Sequence, residues 1–319
     1  MSATGSPRIV CLDEPTYLTA GFLRQLSALG TVRVHYDRPD QREAVRRLAT
    51  ADVALVEWTR LSADLLRAVR STAGSGGVRH ISTLLSATDQ IDLGATRELG
   101  ISVSHCPDYS VSAVAEYVIA CIGTLSRRIL PASRAGAAGV AHRYPPFLGG
   151  DLRGSVLGLV GTGRIGRAVA RRASALGMRV LGSNREGRAV PGVEVVGLEE
   201  LARRSDVLSV QVPSNERTSE LLSEELIGLL RPGCVVVSVS RAQTFAMHAL
   251  ADRHRAGELG GIALDDAPAE LVPTLSAQPN TLLTPGIAWY SRAARQDNLT
   301  EILANVSGFL KGEPVNVVR

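Results

Sequence analysis

Ser155-Val-Leu-Gly-Leu-Val-Gly161-Thr-Gly163-Arg-Ile-Gly166 is the stretch from which the fold follows. A short apolar run enters three glycines at G-x-G-x-x-G spacing. An alanine-rich amphipathic stretch, Arg167 to Leu176, comes next, and a second apolar run, Met178 to Leu181, follows it. That order predicts strand, tight turn, helix and strand, the setting in which the glycine pattern signals a bound dinucleotide. Gly161 permits the turn, Gly163 lets the backbone approach a pyrophosphate with no Cβ in the way, and Gly166 allows close packing of helix on strand. Arg164, Ile165 and Gly166 open the helix, whose N-terminal N–H groups and positive dipole end suit phosphate oxygens.

Working outward, the residues before the motif read as βα units of their own. Strands are predicted at Arg8 to Leu12, Val32 to Tyr36, Val53 to Glu57, Val78 to Ser82 and Ile101 to His105. Helices are predicted at Ala20 to Leu29, Arg42 to Leu48, Ala63 to Val69 and Val111 to Arg127. Beyond the motif, strands are expected near Val193 to Val196, Val207 to Val212, Val235 to Val239 and Ile262 to Leu264. A last helix runs from about Arg292 to Leu310. Such alternation argues for parallel sheets covered by helices. The Pro- and Gly-containing segment from Leu130 to Gly150 reads as an irregular loop between domains.

Composition narrows the function. The 319 residues suffice for two domains, and 45% hydrophobic with 21% charged residues is ordinary for a globular protein. No apolar run reaches the length of a membrane span, so no membrane partner is expected. Met1-Ser-Ala-Thr-Gly-Ser-Pro-Arg lacks the charged and apolar regions of a signal peptide, which predicts a cytoplasmic protein. Cys11, Cys106, Cys121 and Cys234 are scattered, which suggests neither a disulfide framework nor a metal site. The net charge of +4 is spread along the chain, against a nucleic-acid partner. Of the 35 basic residues only Lys311 is a lysine, so Schiff-base chemistry or a P-loop has almost no residue to use.

A family resemblance rests on an ordered series of segments. These are Thr88-Asp-Gln-Ile-Asp-Leu93, Gly100-Ile-Ser-Val with Pro107, Val114-Ala-Glu116, the glycine motif, and Ser205 to Pro213 with Thr218. They continue through Leu229-Leu-Arg-Pro-Gly233, Ser238-Val-Ser-Arg241, Leu264-Asp265 and Thr284-Pro-Gly-Ile-Ala-Trp-Tyr-Ser291. In order and spacing the chain resembles the D-isomer-specific 2-hydroxyacid dehydrogenases, and its last segment looks most like the C-terminal-binding-protein branch. The resemblance implies an α/β fold of two doubly wound parallel-sheet domains. A flavodoxin-like substrate domain, residues 1–105 with 287–319, would hold an inserted Rossmann cofactor domain, residues 106–286, with a cleft between them. A homodimer and a small carboxylate substrate are implied as well.

The resemblance also assigns residues. Arg241 matches the arginine whose planar fork holds and polarises a 2-keto acid. Asp265 falls at the nicotinamide, and Glu270 in the slot of the catalytic glutamate. Asp266, Ala267 and Leu271 depart from the family pattern around it. Ser86 and Ala87 occupy the loop that offers N–H groups to the substrate carboxylate. Val212, Pro213, Thr218, Val239, Ser240, Gly286 and Ala288 line the cofactor.

Where the family's acid–base histidine should follow Thr284-Pro285, this chain has Gly286. Loss of such a group typically costs about 10²–10⁴ in rate. His35, His80, His142, His248 and His254 fall away from the expected cleft, and His105 sits at a strand end where asparagine is common, a structural position. Tyr290 is a candidate substitute acid. Gln211, Ser238 and Ala242 also depart from the family's residues.

At the end of the second Rossmann strand the chain reads Leu181-Gly182-Ser183-Asn184-Arg185. An acidic residue is expected there to bind a ribose 2′-hydroxyl. Asn184 takes that slot beside Arg185, which favours NADP(H) over NAD(H). The leading expectation is an oxidoreductase moving hydride to or from a carboxylate-bearing keto, hydroxy, imine or alkene compound, with an atypical proton donor. A non-catalytic NADP(H)-binding sensor and a non-redox lyase are the alternatives.

Overall fold

A computed structural model of the chain describes residues 5–15, 17–74, 76–140, 144 and 146–318. His142 lies outside the described residues. Two compact units emerge, one of residues 1–110 with 292–319 and one of residues 111–291.

The first unit begins β1 (Arg8–Cys11), α1 (Ala20–Ser27), β2 (Thr31–Val34), α2 (Gln41–Ala49), β3 (Val53–Val56) and α3 (Ala63–Ala73). It continues β4 (His80–Thr83), α4 (Leu93–Glu98) and β5 (Ser102–Ser104). Side chains that prefer caps start the helices: Thr19, Asp40, Ser62 and Asp92 each accept the N–H three residues on. The five strands run parallel in the order β2-β1-β3-β4-β5, the flavodoxin-like order. Val-Ala-Leu-Val of β3 is buried throughout, as a central strand covered on both faces requires.

The second unit holds α5 (Val111–Ser126), α6 (Ile129–Ala137), β6 (Val156–Val160), α7 (Arg164–Ala175), β7 (Arg179–Ser183) and β8 (Glu194–Val195). After these come α8 (Leu198–Arg204), β9 (Val207–Val210), α9 (Glu224–Gly228), β10 (Val235–Ser238), α10 (Met247–Arg255), β11 (Gly261–Leu264), α11 (Val272–Ser276) and β12 (Thr281–Leu283). Seven parallel strands are ordered β12-β11-β10-β9-β6-β7-β8. Successive residues point to opposite faces and build two cores. Val160, Leu208, Val236 and Ile262 enter one, and Leu159, Val207, Val237 and Ala263 the other.

The final helix α12 (Arg292–Lys311) belongs to the first unit. Its buried Asn298 donates to Leu84 O at 2.9 Å, and its buried Asn305 donates to His105 O at 2.9 Å. The tail beyond it bridges β5 antiparallel, Ser104 opposite Val317.

The segment from Leu130 to Gly150 corrects one expectation. Its first part is α6, inside the second unit. Pro131 sits in the first turn of that helix, where the N–H it lacks would have no intrahelical partner. The boundary signal there was a helix start.

Candidate functional site

The site of the second unit follows from strand register. Ser183 of β7 pairs with Val160 of β6, Val160 with Val210 of β9, and Val210 with Ser238 of β10. Ser238 pairs with Leu264 of β11, and Leu264 with Leu283 of β12. These six carboxyl ends therefore form one row. The residues just beyond it, Asn184, Gly161, Gln211, Val239, Asp265 and Thr284, come from segments the sequence singled out. Strand order reverses between β6 and β9, which is where ligands bind in doubly wound sheets.

The three motif glycines differ in why they are glycine. Gly161 has φ +96°, and a Cβ there would lie 2.8 Å from Gln211 O. A Cβ on Gly166 would meet Gly161 O at 2.2 Å, so helix α7 packs on the turn itself. Both are required by the chain's own packing. Gly163 caps α7 with no side-chain bond, at an ordinary φ of −69°, and a Cβ there would meet nothing within 4 Å. The fold does not require that glycine. The open space at Gly163 and the helix terminus of Arg164, Ile165 and Gly166 would fit a pyrophosphate.

Gln211 supports the turn: its Nε2 donates to Gly161 O at 2.8 Å, and its Oε1 accepts from Ser209 Oγ at 2.8 Å. The sequence flagged Gln211 only as a departure from the family. Next along the row, Ser240 Oγ donates to Val212 O at 2.9 Å and accepts Val212 N–H at 2.8 Å, tying the ends of β9 and β10 together. Val239 N–H continues the ladder to Val210 O. Thr218 closes its own loop, its hydroxyl donating to Pro213 O at 2.6 Å.

Beyond Ser183, Asn184 is similarly occupied. Its side chain donates to Arg188 O and accepts Arg188 N–H, both at 2.9 Å, so it pins a five-residue turn. Arg185 is exposed and paired with Glu186 at 3.0 Å.

Arg241 is exposed and donates to Asp266 at 3.0 Å. Such a surface pair adds little stability and serves mainly to orient the guanidinium. Glu270 is exposed in a short 3₁₀ turn, and among the described residues no hydrogen bond or ion pair holds it. No hydrogen bond or ion pair among the described residues joins it to Arg241, and Tyr290 is half-exposed with its ring edge-on to Trp289.

Asp265 is the buried carboxylate of the row. It accepts Thr284 Oγ1–H at 2.6 Å, Ile287 N–H at 2.8 Å and Ala288 N–H at 2.7 Å. Thr284 Oγ1 also lies 2.6 Å from Tyr117 Oη. The threonine proton points to Asp265, so the tyrosine is the donor, and burial pushes its phenol pKa well up. The sequence reading gave Tyr117 and Thr284 no role in holding Asp265. Asp265 thereby clamps the turn at Gly286, which has φ +74° and only Asp265 O, at 3.9 Å, near a notional Cβ.

Ser86 and Ala87 lie exposed in the first unit. His105 Nδ1 is 2.8 Å from Ser86 O, and since a carbonyl only accepts, Nδ1 carries the proton. No group of three or more His, Cys, Asp or Glu suited to a metal occurs among the described residues.

Residues 119–288 match the profile of the D-isomer specific 2-hydroxyacid dehydrogenase, NAD binding domain. The chain belongs to the D-isomer specific 2-hydroxyacid dehydrogenase family. As a member it is an oxidoreductase whose second unit carries the pyridine-nucleotide fold. It is 28% identical to a glycerate dehydrogenase of Methylorubrum extorquens over 86% of this chain and 88% of that enzyme. It is 31% identical to a glyoxylate reductase of Thermofilum pendens over 86% and 83%. A solved acyclic imino acid reductase, Bsp5, in complex with NADPH and D-Arg, is 34% identical with a TM-score of 0.91, covering 98% of this chain and all (100%) of that one. No helix among the described residues of this family member is long and apolar enough to cross a membrane.

Proposed function

We propose that this dehydrogenase-family chain is an NADPH-dependent reductase that converts an acyclic 2-imino acid to the amino acid. Gly286 carries the reading. The resemblance puts the family's acid–base imidazole at that position, and this chain has a left-handed glycine with open space around it. A ketone needs a proton delivered to its oxygen as its carbon is reduced. A protonated imine brings its own proton, so its reduction asks for no imidazole. The likeness to an imino acid reductase supports the same choice.

When bound, the nicotinamide supplies the hydride. Gly161, Gly163, Arg164, Ile165 and Gly166 hold the pyrophosphate, with Val212, Pro213, Val239 and Ser240 along the row. Asp265, Gly286 and Ala288 stand at the nicotinamide end. Arg241 grips the substrate carboxylate with its fork, and Ser86 and Ala87 are the substrate residues assigned to the first unit. Glu270 and Tyr290 have no proton-transfer role in this reading. Asn184 offers no carboxylate to a ribose 2′-hydroxyl, and Arg185 is at hand for a 2′-phosphate, which favours NADP(H). Residues 1–105 with 287–319 act as the substrate domain and 106–286 as the cofactor domain. The exposed apolar Ile129, Tyr144 and Leu148 support a homodimer, which we place in the cytoplasm.

The test is NADPH consumption with 2-keto acids alone and with added ammonia or methylamine. Turnover that requires the amine, yields an amino acid and is lost in Arg241→Ala is expected. Equal rates without amine would make the protein a 2-hydroxyacid dehydrogenase. Tight NADPH binding with no turnover in either case would favour a nucleotide-binding role.

A further inference from the structure

The loop after β7 carries three charged side chains on a backbone that Asn184 holds in place. Gly187, at φ +59°, completes the turn, its N–H bonded to Asn184 O at 3.2 Å. Arg185 and Arg188 flank Glu186 on this turn, and both guanidinium groups are paired with its carboxylate. All three are exposed, two to five residues past the strand end Ser183, whose register partner, Val160, leads into the glycine turn. Two forks thus converge on one small anion, beside the segment where a nucleotide ribose is expected.

We propose that Glu186 is an internal stand-in for a ribose 2′-phosphate, and that Arg185 and Arg188 form the two-armed site this phosphate takes when Glu186 lets go. The inference rests on the NADP(H) reading above and deepens it by adding Arg188 and Glu186. A 2′-phosphate carries close to two negative charges and three acceptor oxygens, against one charge and two oxygens on the carboxylate. It can hold both forks at once and outcompetes Glu186. The hydrogen bond from Arg185 and the charge of Arg188 keep the Glu186 carboxyl below its ordinary range, so at neutral pH the stand-in is ionised. Displacing it opposes binding, and the opposition falls on 2′-phosphorylated nucleotides, because an unphosphorylated ribose leaves the three-residue cluster intact.

Titration calorimetry on the full chain with NADPH, NADH and 2′,5′-ADP tests this without any substrate. Arg188→Ala is expected to weaken NADPH and 2′,5′-ADP about tenfold and leave NADH unchanged, on the scale of one lost charge-assisted pair. Glu186→Gln is expected to tighten NADPH and 2′,5′-ADP by about three- to tenfold while NADH stays the same. If Glu186→Gln tightens NADH equally, a general charge effect replaces the stand-in. If it weakens NADH, Glu186 is the acceptor of a 2′-hydroxyl instead, and the proposal is overturned. Wild-type protein that binds NADH as tightly as NADPH overturns the cofactor reading. The 2′,5′-ADP titrations of the two variants still decide the role of the loop.

Discussion

The carboxylate of Asp265 takes the backbone N–H of Ala288 at 2.7 Å, so the strand ending at Leu264 fixes the turn that contains Gly286. Its other oxygen is held by Ile287 N–H and by the Thr284 hydroxyl, which in turn accepts from Tyr117. Thr284→Val would strand the half-buried Tyr117 hydroxyl and leave Asp265 short of a donor, at a cost of about 1–3 kcal/mol. Tyr117→Phe in the Thr284→Val background removes the stranded group. The double variant is therefore expected to melt higher than Thr284→Val alone. A double variant at or below the single would show that the three groups do not act as a chain.

Gly163 and Gly166 should separate folding from nucleotide binding. Gly166→Ala drives a Cβ to 2.2 Å from Gly161 O and is expected to cost about 1–3 kcal/mol of stability, as overpacking does. Gly163→Ala meets only open space, so its melting temperature should match wild type while NADPH affinity falls by at least about tenfold. Thermal melts with and without NADPH check both. A Gly163→Ala protein that gains as much stability from NADPH as wild type would remove the pyrophosphate from this turn.

The glycine turn was legible in the sequence because backbone constraints appear directly as residue types. Strand alternation was legible for the same kind of reason in buried strands such as Val53–Val56. Helices α4, α6, α8, α9, α10 and α11 and strand β12 were not among the expected elements. Strand β12 is three residues, Thr-Leu-Leu, at a sheet edge, too short to show as an apolar run. Helix α6 was hidden by Pro131 and Gly136, which read as breakers. The site was legible where a single residue type carries it, as at Gly161 and Gly286. It was not where register joins distant segments: Tyr117 and Thr284 lie 167 positions apart, and no local pattern announces that pair. Nor does a local pattern announce that Asn184 and Thr218, in expected cofactor slots, also hold their own loops.

Acid should weaken both units, for a reason separate from the site. His80 is fully buried, its ring stacked 4.4 Å from Phe309, with no hydrogen-bond partner for either nitrogen among the described residues. Burial pushes its pKa down to about 4 from 6.5, and burial does the same to His254, which keeps one bond to Thr281 Oγ1 at 2.7 Å. The folded chain holds these rings neutral, and the unfolded chain takes up protons first. Above about pH 6.5 they add no pH dependence, and stability falls as pH drops from there towards 4, by up to about 3 kcal/mol per ring. Urea midpoints across that window check this. His80→Leu is expected to flatten the fall, and an equally steep fall in the variant would assign it to other groups.

Gly286→His asks whether the remainder of the site still serves a keto acid. The position lies at φ +74°, where a side chain costs roughly 1–2 kcal/mol of strain. Space is not the obstacle, because the nearest atom to a new Cβ is Asp265 O at 3.9 Å. A modest loss of melting temperature is therefore expected, about 2–4 °C per kcal/mol. An imidazole at this turn would supply the proton that a ketone needs and a protonated imine does not. Reduction of 2-keto acids without amine should rise, by about 10²-fold where Arg241 still orients the carboxylate, while amine-dependent reduction stays flat or falls. Steady-state kcat/KM for the two reactions reads the ratio directly. A variant that binds NADPH normally yet gains no keto acid activity would mean that the carboxylate is held in a pose the restored imidazole cannot serve. Specificity for the imine would then reside in Arg241 and its Asp266 partner, and Gly286 would be its companion.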